Sequence, residues 1–295
     1  MLYLTAEKCK VNVKLSSLTL HTSPVLWIES AESPLNGTAA LSAEKLCRAA
    51  KAKVTPTPRN LPKYLVMVKT HGPRLAPFVA TLILYFSLVR QDPQGELWTT
   101  VLKCLPIVAL MFYVVANGFS LKKDYRRSLW ILLGLVFSCG GDALLNVNLF
   151  PFGMVSFGVA HVFYICAFGW KPLKWPIGLA LYVAVSLFVY FVHQKLDEIL
   201  IIGVPIYCYL ITTMLWRALA RAVDAKNFLA IFCAVGAVLF VVSDALIAVT
   251  MFVGVPLPCP RLQIMITYYA AQFAIALSTA DDGPQSFRSY RRKIK

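Results

Sequence analysis

Of the fourteen acidic residues, only Asp142 and Asp244 stand inside long apolar stretches. A charge at the bilayer centre costs roughly 2.5–3.5 kcal/mol even on insertion scales, so an acid kept there needs a partner and a purpose. Lys103 and His161 are the other ionisable groups of this kind, with Tyr164, Tyr268, Tyr269 and Gln272 as polar companions. Two carboxyls with a histidine and a lysine can transfer protons and steady a cation, or couple proton or cation movement to transport. A zinc hydrolase needs about three protein ligands, and of the four histidines only His161 lies within an apolar stretch, the others being His21, His71 and His193. There is no G-x-S-x-G elbow, no glycine-rich phosphate loop with its lysine and no Cys–His pairing of known spacing. The expected site is thus a carboxyl pair without metal or cofactor.

The elements that must carry these residues are membrane helices. The chain is 58% hydrophobic, and its 15% charged residues fall well below the roughly 25% of soluble domains. Its net charge of +15 lies in short segments between apolar stretches, where basic residues orient membrane proteins, so no nucleic-acid partner is expected. The eight cysteines form no C-x-x-C pair and read as small hydrophobes, without a disulfide framework or zinc site. With about 20 apolar residues per crossing, eight spans are expected: Leu75–Val89, Leu97–Ala116, Leu129–Val147, Leu149–Phe168, Trp175–Val192, Ile199–Trp216, Phe228–Val249 and Leu262–Leu277. The fold class is all-α integral membrane with eight transmembrane helices. Residues 1–66 form a basic extension read as disordered, residues 67–280 the eight-span domain, and residues 281–295 a basic cytoplasmic tail. No secretory signal pattern is visible in the first 60 residues, so the first span is expected to serve for targeting.

Alternate connections carry the basic charge. Lys122, Lys123, Arg126 and Arg127, then Lys171 and Lys174, then Arg217, Arg221 and Lys226 fall on the side of the tail's Arg288, Arg291, Arg292, Lys293 and Lys295. The opposite connections hold Arg90, Lys195 and Arg261. Both termini are expected in the cytoplasm, where the Asn36-Gly37-Thr38 sequon stays unmodified. Orientation alone explains Lys171 and Arg217, which are left out of the site. At 1.5 Å rise per residue, Lys103, Asp142, Asp244 and Tyr268 lie roughly 8–10 Å, and His161 and Gln272 roughly 13–15 Å, from the non-cytoplasmic span ends. Five helices thus contribute to one polar layer, which implies a shared cavity in the outer half of the bilayer. Each aspartate also follows a glycine by eight residues, Gly134 before Asp142 and Gly236 before Asp244, with a small residue, Gly141 or Ser243, directly before it. The match suggests two parallel four-span repeats, although span six offers no counterpart to Lys103.

Five motifs in order on five spans carry a family resemblance: Lys103-Cys-Leu-Pro106, Gly134-Leu-Val-Phe-Ser138 leading to Gly141-Asp142-Ala-Leu-Leu145, Ala160-His161-Val-Phe-Tyr164, Ser243-Asp244-Ala-Leu-Ile-Ala248, and Tyr268-Tyr-Ala-Ala-Gln272. From about Met67 to Ala280 the chain resembles the YhhN-like lysoplasmalogenase family, in particular its animal members, which begin near Met67. The resemblance implies residence in the endoplasmic reticulum. It also implies hydrolysis of the vinyl ether bond of a lysophospholipid substrate, a lysoplasmalogen, to a fatty aldehyde and glycerophosphoethanolamine or glycerophosphocholine. That reaction needs an acid to protonate the alkene carbon and an anion beside the resulting oxocarbenium-like cation, and two carboxyls can divide the work as they do in glycosidases. The expectation is that Asp142 and Asp244 share these roles and His161 hydrogen-bonds the pair or relays a proton. Lys103 holds the lipid phosphate or tunes an aspartate, or else merely snorkels to the interface, and Tyr164, Tyr268 and Gln272 contact substrate. A transporter coupled through the aspartates is the competing class, and a non-catalytic lipid-binding protein is a third.

Overall fold

The computed structural model describes residues 63–89, 96–117, 126–196 and 199–282. The expectations for the extension up to residue 62, the Asn36 sequon, Arg90, Lys122, Lys123 and the basic tail beyond residue 282 lie outside them. Eight α-helices and no strand occur among the described residues: α1 (Lys63–Leu88), α2 (Leu97–Ala116), α3 (Arg126–Asn146), α4 (Phe150–Phe168), α5 (Trp175–His193), α6 (Leu200–Ala225), α7 (Phe228–Ala248) and α8 (Pro260–Leu277). A π-helical turn, Val249–Val253, prolongs α7, and a 3₁₀ turn, Ser278–Asp282, follows α8.

Local chemistry sets many of these ends. Proline occupies the first turn of α4, α5 and α8, where its missing N–H would have had no helical partner. The Asn227 side chain accepts from the Ala230 N–H at 2.7 Å and caps α7. Gly169 after α4 and Gly254 after the π turn take φ of 74° and 72°, which glycine adopts without a Cβ clash. Two helices outrun the expected spans. α1 begins at Lys63 rather than Leu75, inside the stretch expected to be the extension, and α6 continues past Trp216 to Ala225.

Six helices, α2 to α7 with its π turn, are long and apolar enough to cross a membrane. α1 holds Pro73 and Pro77 and has Lys69, His71 and Arg74 in its first half. α8 carries Arg261, Gln263, Thr267, Tyr268, Tyr269 and Gln272, so both are less apolar. The surface fits a lipid solvent: Ile83, Phe112, Phe152, Leu179, Phe191 and Ile202 are all more than 60% exposed, while Thr99, Ser138, Asp142, Asn146, His161 and Gln272 are buried. An apolar exterior around polar groups is the arrangement that hydrocarbon rewards.

Packing places the polar groups. α3 and α4 form one hairpin and α7 and α8 another, while α8 also returns against α2 and α3. α6 lies against α4, α5 and α7, whereas α5 packs chiefly on α6. A Cβ on Gly134 would stand 2.2 Å from the Tyr164 ring, and one on Gly141 would stand 2.6 Å from Phe157, so α3 approaches α4 as only glycine permits. Gly236 plays the same part in the second hairpin, where a Cβ would meet Ala274 at 2.7 Å and the Ala271 carbonyl at 2.9 Å.

Candidate functional site

A cavity of about 330 Å³ lies among the helices, and Lys103, Asp142, Tyr207, Asp244 and Tyr268 all line it. Both aspartates, from α3 and α7, therefore face one space. α2 supplies Lys103, whose Nζ lies 3.4 Å from Asp142 Oδ1. α8 supplies Tyr268, whose hydroxyl donates to Asp142 Oδ2 at 2.6 Å. Lys103 is itself buried, and the Tyr269 hydroxyl holds its carbonyl at 2.8 Å. This lysine therefore does not snorkel; it belongs to the aspartate. Asn146, one turn beyond Asp142, donates to Thr99 at 3.0 Å and Thr100 at 2.7 Å and ties α3 to α2 beside the pair.

The second aspartate is held differently. The Tyr207 hydroxyl, from α6, donates to Asp244 Oδ2, and His161 Nε2 on α4 lies 3.1 Å from the same hydroxyl. His161 thus reaches the carboxyl pair through an intermediary, not directly as one of the expected arrangements had it. It packs edge-on to Phe240, with ring centroids 4.9 Å apart, and does not line the cavity. Among the described residues no lysine, arginine or histidine pairs with Asp244 within 4.0 Å.

Tyr164 and Gln272, expected at the substrate, lie behind the cavity rather than on it. The Tyr164 hydroxyl donates to Gln272 Oε1 at 2.8 Å and lies 3.4 Å from Ser138 Oγ, and all three side chains are fully buried. The reason is geometric, since Gly134 seats the Tyr164 ring against α3, away from the opening. Tyr268 stays at the cavity as expected, and Tyr207 is the site residue that the sequence reading missed. Its available signal was depth: Lys103 and Tyr207 both sit on the second turn of their helices, α2 and α6.

The rest of the wall is largely apolar, with Thr212 and Ser243 as its other polar members. Leu181, Ala184, Val185 and Phe188 of α5, with Ile211 and Leu215 of α6, belong to that apolar part. Among the described residues no three His, Cys, Asp or Glu side chains converge as metal ligands. What converges is two carboxyls, an ammonium and two phenols beside a space fit for a hydrocarbon chain.

Comparison with known proteins places this site in a family. The YhhN family model matches residues 98–279, which include every polar residue named at the cavity. Lysoplasmalogenase TMEM86A from Bos taurus is 36% identical over 223 residues, covering 74% of this chain and 92% of the relative. The Homo sapiens protein of the same name is 34% identical with the same coverage. Lysoplasmalogenase TMEM86B from Mus musculus is 37% identical, covering 69% of this chain and 85% of its own. No solved structure matches the chain. On both the extent of the family match and the coverage of these relatives, the chain belongs to the YhhN family.

Proposed function

We propose that this protein is a lysoplasmalogenase that hydrolyses the vinyl ether bond of lysoplasmenylethanolamine or lysoplasmenylcholine, with Asp142 and Asp244 as its catalytic carboxyls. The observation that carries this reading is the meeting of both aspartates on one largely apolar cavity, in a chain whose curated relatives bear the lysoplasmalogenase name. A vinyl ether lacks an electrophilic carbonyl, so its hydrolysis begins with a proton placed on carbon and continues with water adding to the cation. An acid and an anion close together supply both needs. The alkenyl chain runs along the α5 and α6 wall, with its first two carbons between the aspartates. Lys103 serves Asp142 rather than the lipid phosphate, and Tyr268 fixes the same carboxylate.

The wider architecture follows from the same features. Eight crossings with both termini cytoplasmic agree with the basic residues Arg126, Arg127, Lys171, Lys174 and Arg221 on one side and Lys195 and Arg261 on the other. The endoplasmic reticulum is the membrane that the family resemblance implies. Two parallel four-span halves gain support from matching contacts. Gly134 and Gly236 each seat the following helix, as do Gly141 against Phe157 and Ser243 through its bond to the Ile264 carbonyl. Four residues beyond Phe157 and Ile264 stand His161 and Tyr268, each turned toward the aspartate of the other half. Lys103 and Tyr207 then correspond, each serving the aspartate of its own half.

The test is fatty-aldehyde release from lysoplasmenylethanolamine by purified protein, beside the saturated-ether analogue and the Asp142→Asn and Asp244→Asn variants. Aldehyde from the vinyl ether alone, lost in both variants, is the expected result. Near-normal turnover by folded variants would remove the carboxyls from the mechanism, and none from folded wild-type protein would remove the activity.

A further inference from the structure

The two aspartates are not held alike. Both oxygens of Asp142 are engaged by donors: the Lys103 ammonium 3.4 Å from Oδ1 and the Tyr268 hydroxyl 2.6 Å from Oδ2. A carboxyl whose two oxygens both face donors, one of them an ammonium, is favoured at rest in the ionised, acceptor-only form and keeps lone pairs that can take up a proton during the cycle. Asp244 receives one donor, the Tyr207 hydroxyl on Oδ2, and among the described residues its Oδ1 has no partner. That oxygen is free to carry a proton into the cavity.

The chain behind Asp244 fixes which oxygen this is. A phenol has one hydrogen, so when Tyr207 donates to Oδ2 its oxygen can only accept from His161, which lies 3.1 Å away through Nε2. His161 then carries its proton on Nε2, in keeping with a buried Nδ1 that has no hydrogen-bond partner. Held by the fully buried His161, the Tyr207 hydrogen points at Oδ2 and the acid proton is confined to Oδ1.

We propose that Asp244 is the proton donor and Asp142 the standing carboxylate, and that Tyr207, oriented by His161, is the positioning residue that presents the Asp244 proton to substrate. The proposal rests on the lysoplasmalogenase reading. In the first step the O–H bond at Asp244 Oδ1 breaks as a C–H bond forms at the second chain carbon, and the alkene electron pair becomes that bond. The cation shared by the first carbon and the ether oxygen lies against Asp142. Water adds to the first carbon and gives its proton to Asp142, forming a hemiacetal. Collapse returns the hemiacetal hydroxyl proton to Asp244, breaks the carbon–oxygen bond to glycerol, and passes the Asp142 proton to the departing oxygen. Aldehyde and glycerophosphoethanolamine or glycerophosphocholine leave with both carboxyls restored, so the cycle consumes water alone.

The test separates the roles by binding as well as by rate. The probe is a lysolipid analogue with a secondary ammonium in place of the ether oxygen, a stable mimic of the cation, compared with the neutral saturated ether on purified full-length protein. Wild type and Asp244→Asn should prefer the ammonium analogue, and Asp142→Asn should lose that preference. Asp244→Asn should lower kcat by about 10²–10⁴-fold. Tyr207→Phe should lower kcat about tenfold, the worth of one lost hydrogen bond, with KM and saturated-ether binding little changed. Binding of the saturated ether certifies folding, and Lys103→Met with Asp142→Asn replaces the single variant should that one fail to fold. An ammonium preference that depends on Asp244 instead of Asp142 would overturn the division of roles while leaving aldehyde release intact. A Tyr207→Phe protein that loses saturated-ether binding along with rate would reduce Tyr207 to packing. Wild-type protein that binds both analogues yet releases no aldehyde would overturn the parent reading as well.

Discussion

Lys103 and Asp142 form an ion pair across α2 and α3, Nζ to Oδ1 at 3.4 Å, with both side chains buried. Removing one partner of such a pair leaves an uncompensated charge and typically costs about 3–5 kcal/mol, whereas removing both costs much less. Lys103→Met and Asp142→Asn should each lower the thermal unfolding midpoint in detergent, and the double variant should recover most of the loss. Activity should stay absent in the double variant because the carboxylate is still missing. Additive midpoint losses in this cycle would show that the two groups are not coupled.

Glycine-mediated approach makes a second prediction. A Cβ at Gly134 would penetrate the Tyr164 ring at 2.2 Å, whereas one at Gly158 would meet Leu210 at an ordinary 3.6 Å. Gly134→Ala should destabilise by about 1–3 kcal/mol through overpacking and displace the Tyr164–Gln272 pair. Gly158→Ala should change stability by less than about 0.5 kcal/mol. Unfolding midpoints of the two variants compared with wild type decide it, and equal effects would argue against close α3–α4 packing.

The helices and the gathering of Lys103, Asp142, Asp244 and Tyr268 on one cavity were legible because both follow from one-dimensional quantities, apolar run length and residue count from a span end. α2 was expected at Leu97–Ala116 and is found there. Direction around a helix was less legible. Tyr164 and Gln272 stand on the expected helices, yet they turn toward each other behind the cavity, because the facing glycine that seats Tyr164 belongs to another helix. Tyr207 escaped notice for the opposite reason. A tyrosine near a span end usually reads as an interfacial aromatic, and only the packing of α6 between α4 and α7 sets its hydroxyl between His161 and Asp244.

Arg217 shows how a charge-count reading can be incomplete. It lies at the expected end of a span, but its side chain is fully buried. Its Nε donates to the Gly169 carbonyl at 2.6 Å, Nη2 to Pro172 at 2.8 Å and Nη1 to Leu173 at 3.3 Å, with the Trp216 ring centroid 5.3 Å from Cζ. The residue thus ties the α4–α5 connection to α6. Arg217→Lys preserves the charge but not the fork that reaches three carbonyls, so it should cost about 2 kcal/mol or more. An orientation role alone would leave the unfolding midpoint of Arg217→Lys at the wild-type value.

The α5 wall predicts chain-length selectivity. Leu181, Ala184, Val185 and Phe188 line the cavity, while Leu179, Val183, Leu187 and Phe191 of the same helix are exposed to the surroundings. One face of α5 therefore bounds the chain and the other meets lipid. A larger side chain at Ala184 fills space that the distal carbons of a long alkenyl chain occupy, without touching either aspartate. Ala184→Phe should lower kcat/KM for an 18-carbon lysoplasmalogen by about 10-fold or more relative to a 12-carbon one, since each buried CH₂ is worth about 0.8 kcal/mol. Turnover of the short-chain substrate should stay near the wild-type rate. The substitution is lodged on a helix that packs chiefly on α6, so the bundle accommodates it with little loss of stability. Equal losses for both chain lengths would place the alkenyl chain elsewhere, and with it the direction from which the vinyl ether reaches the aspartates.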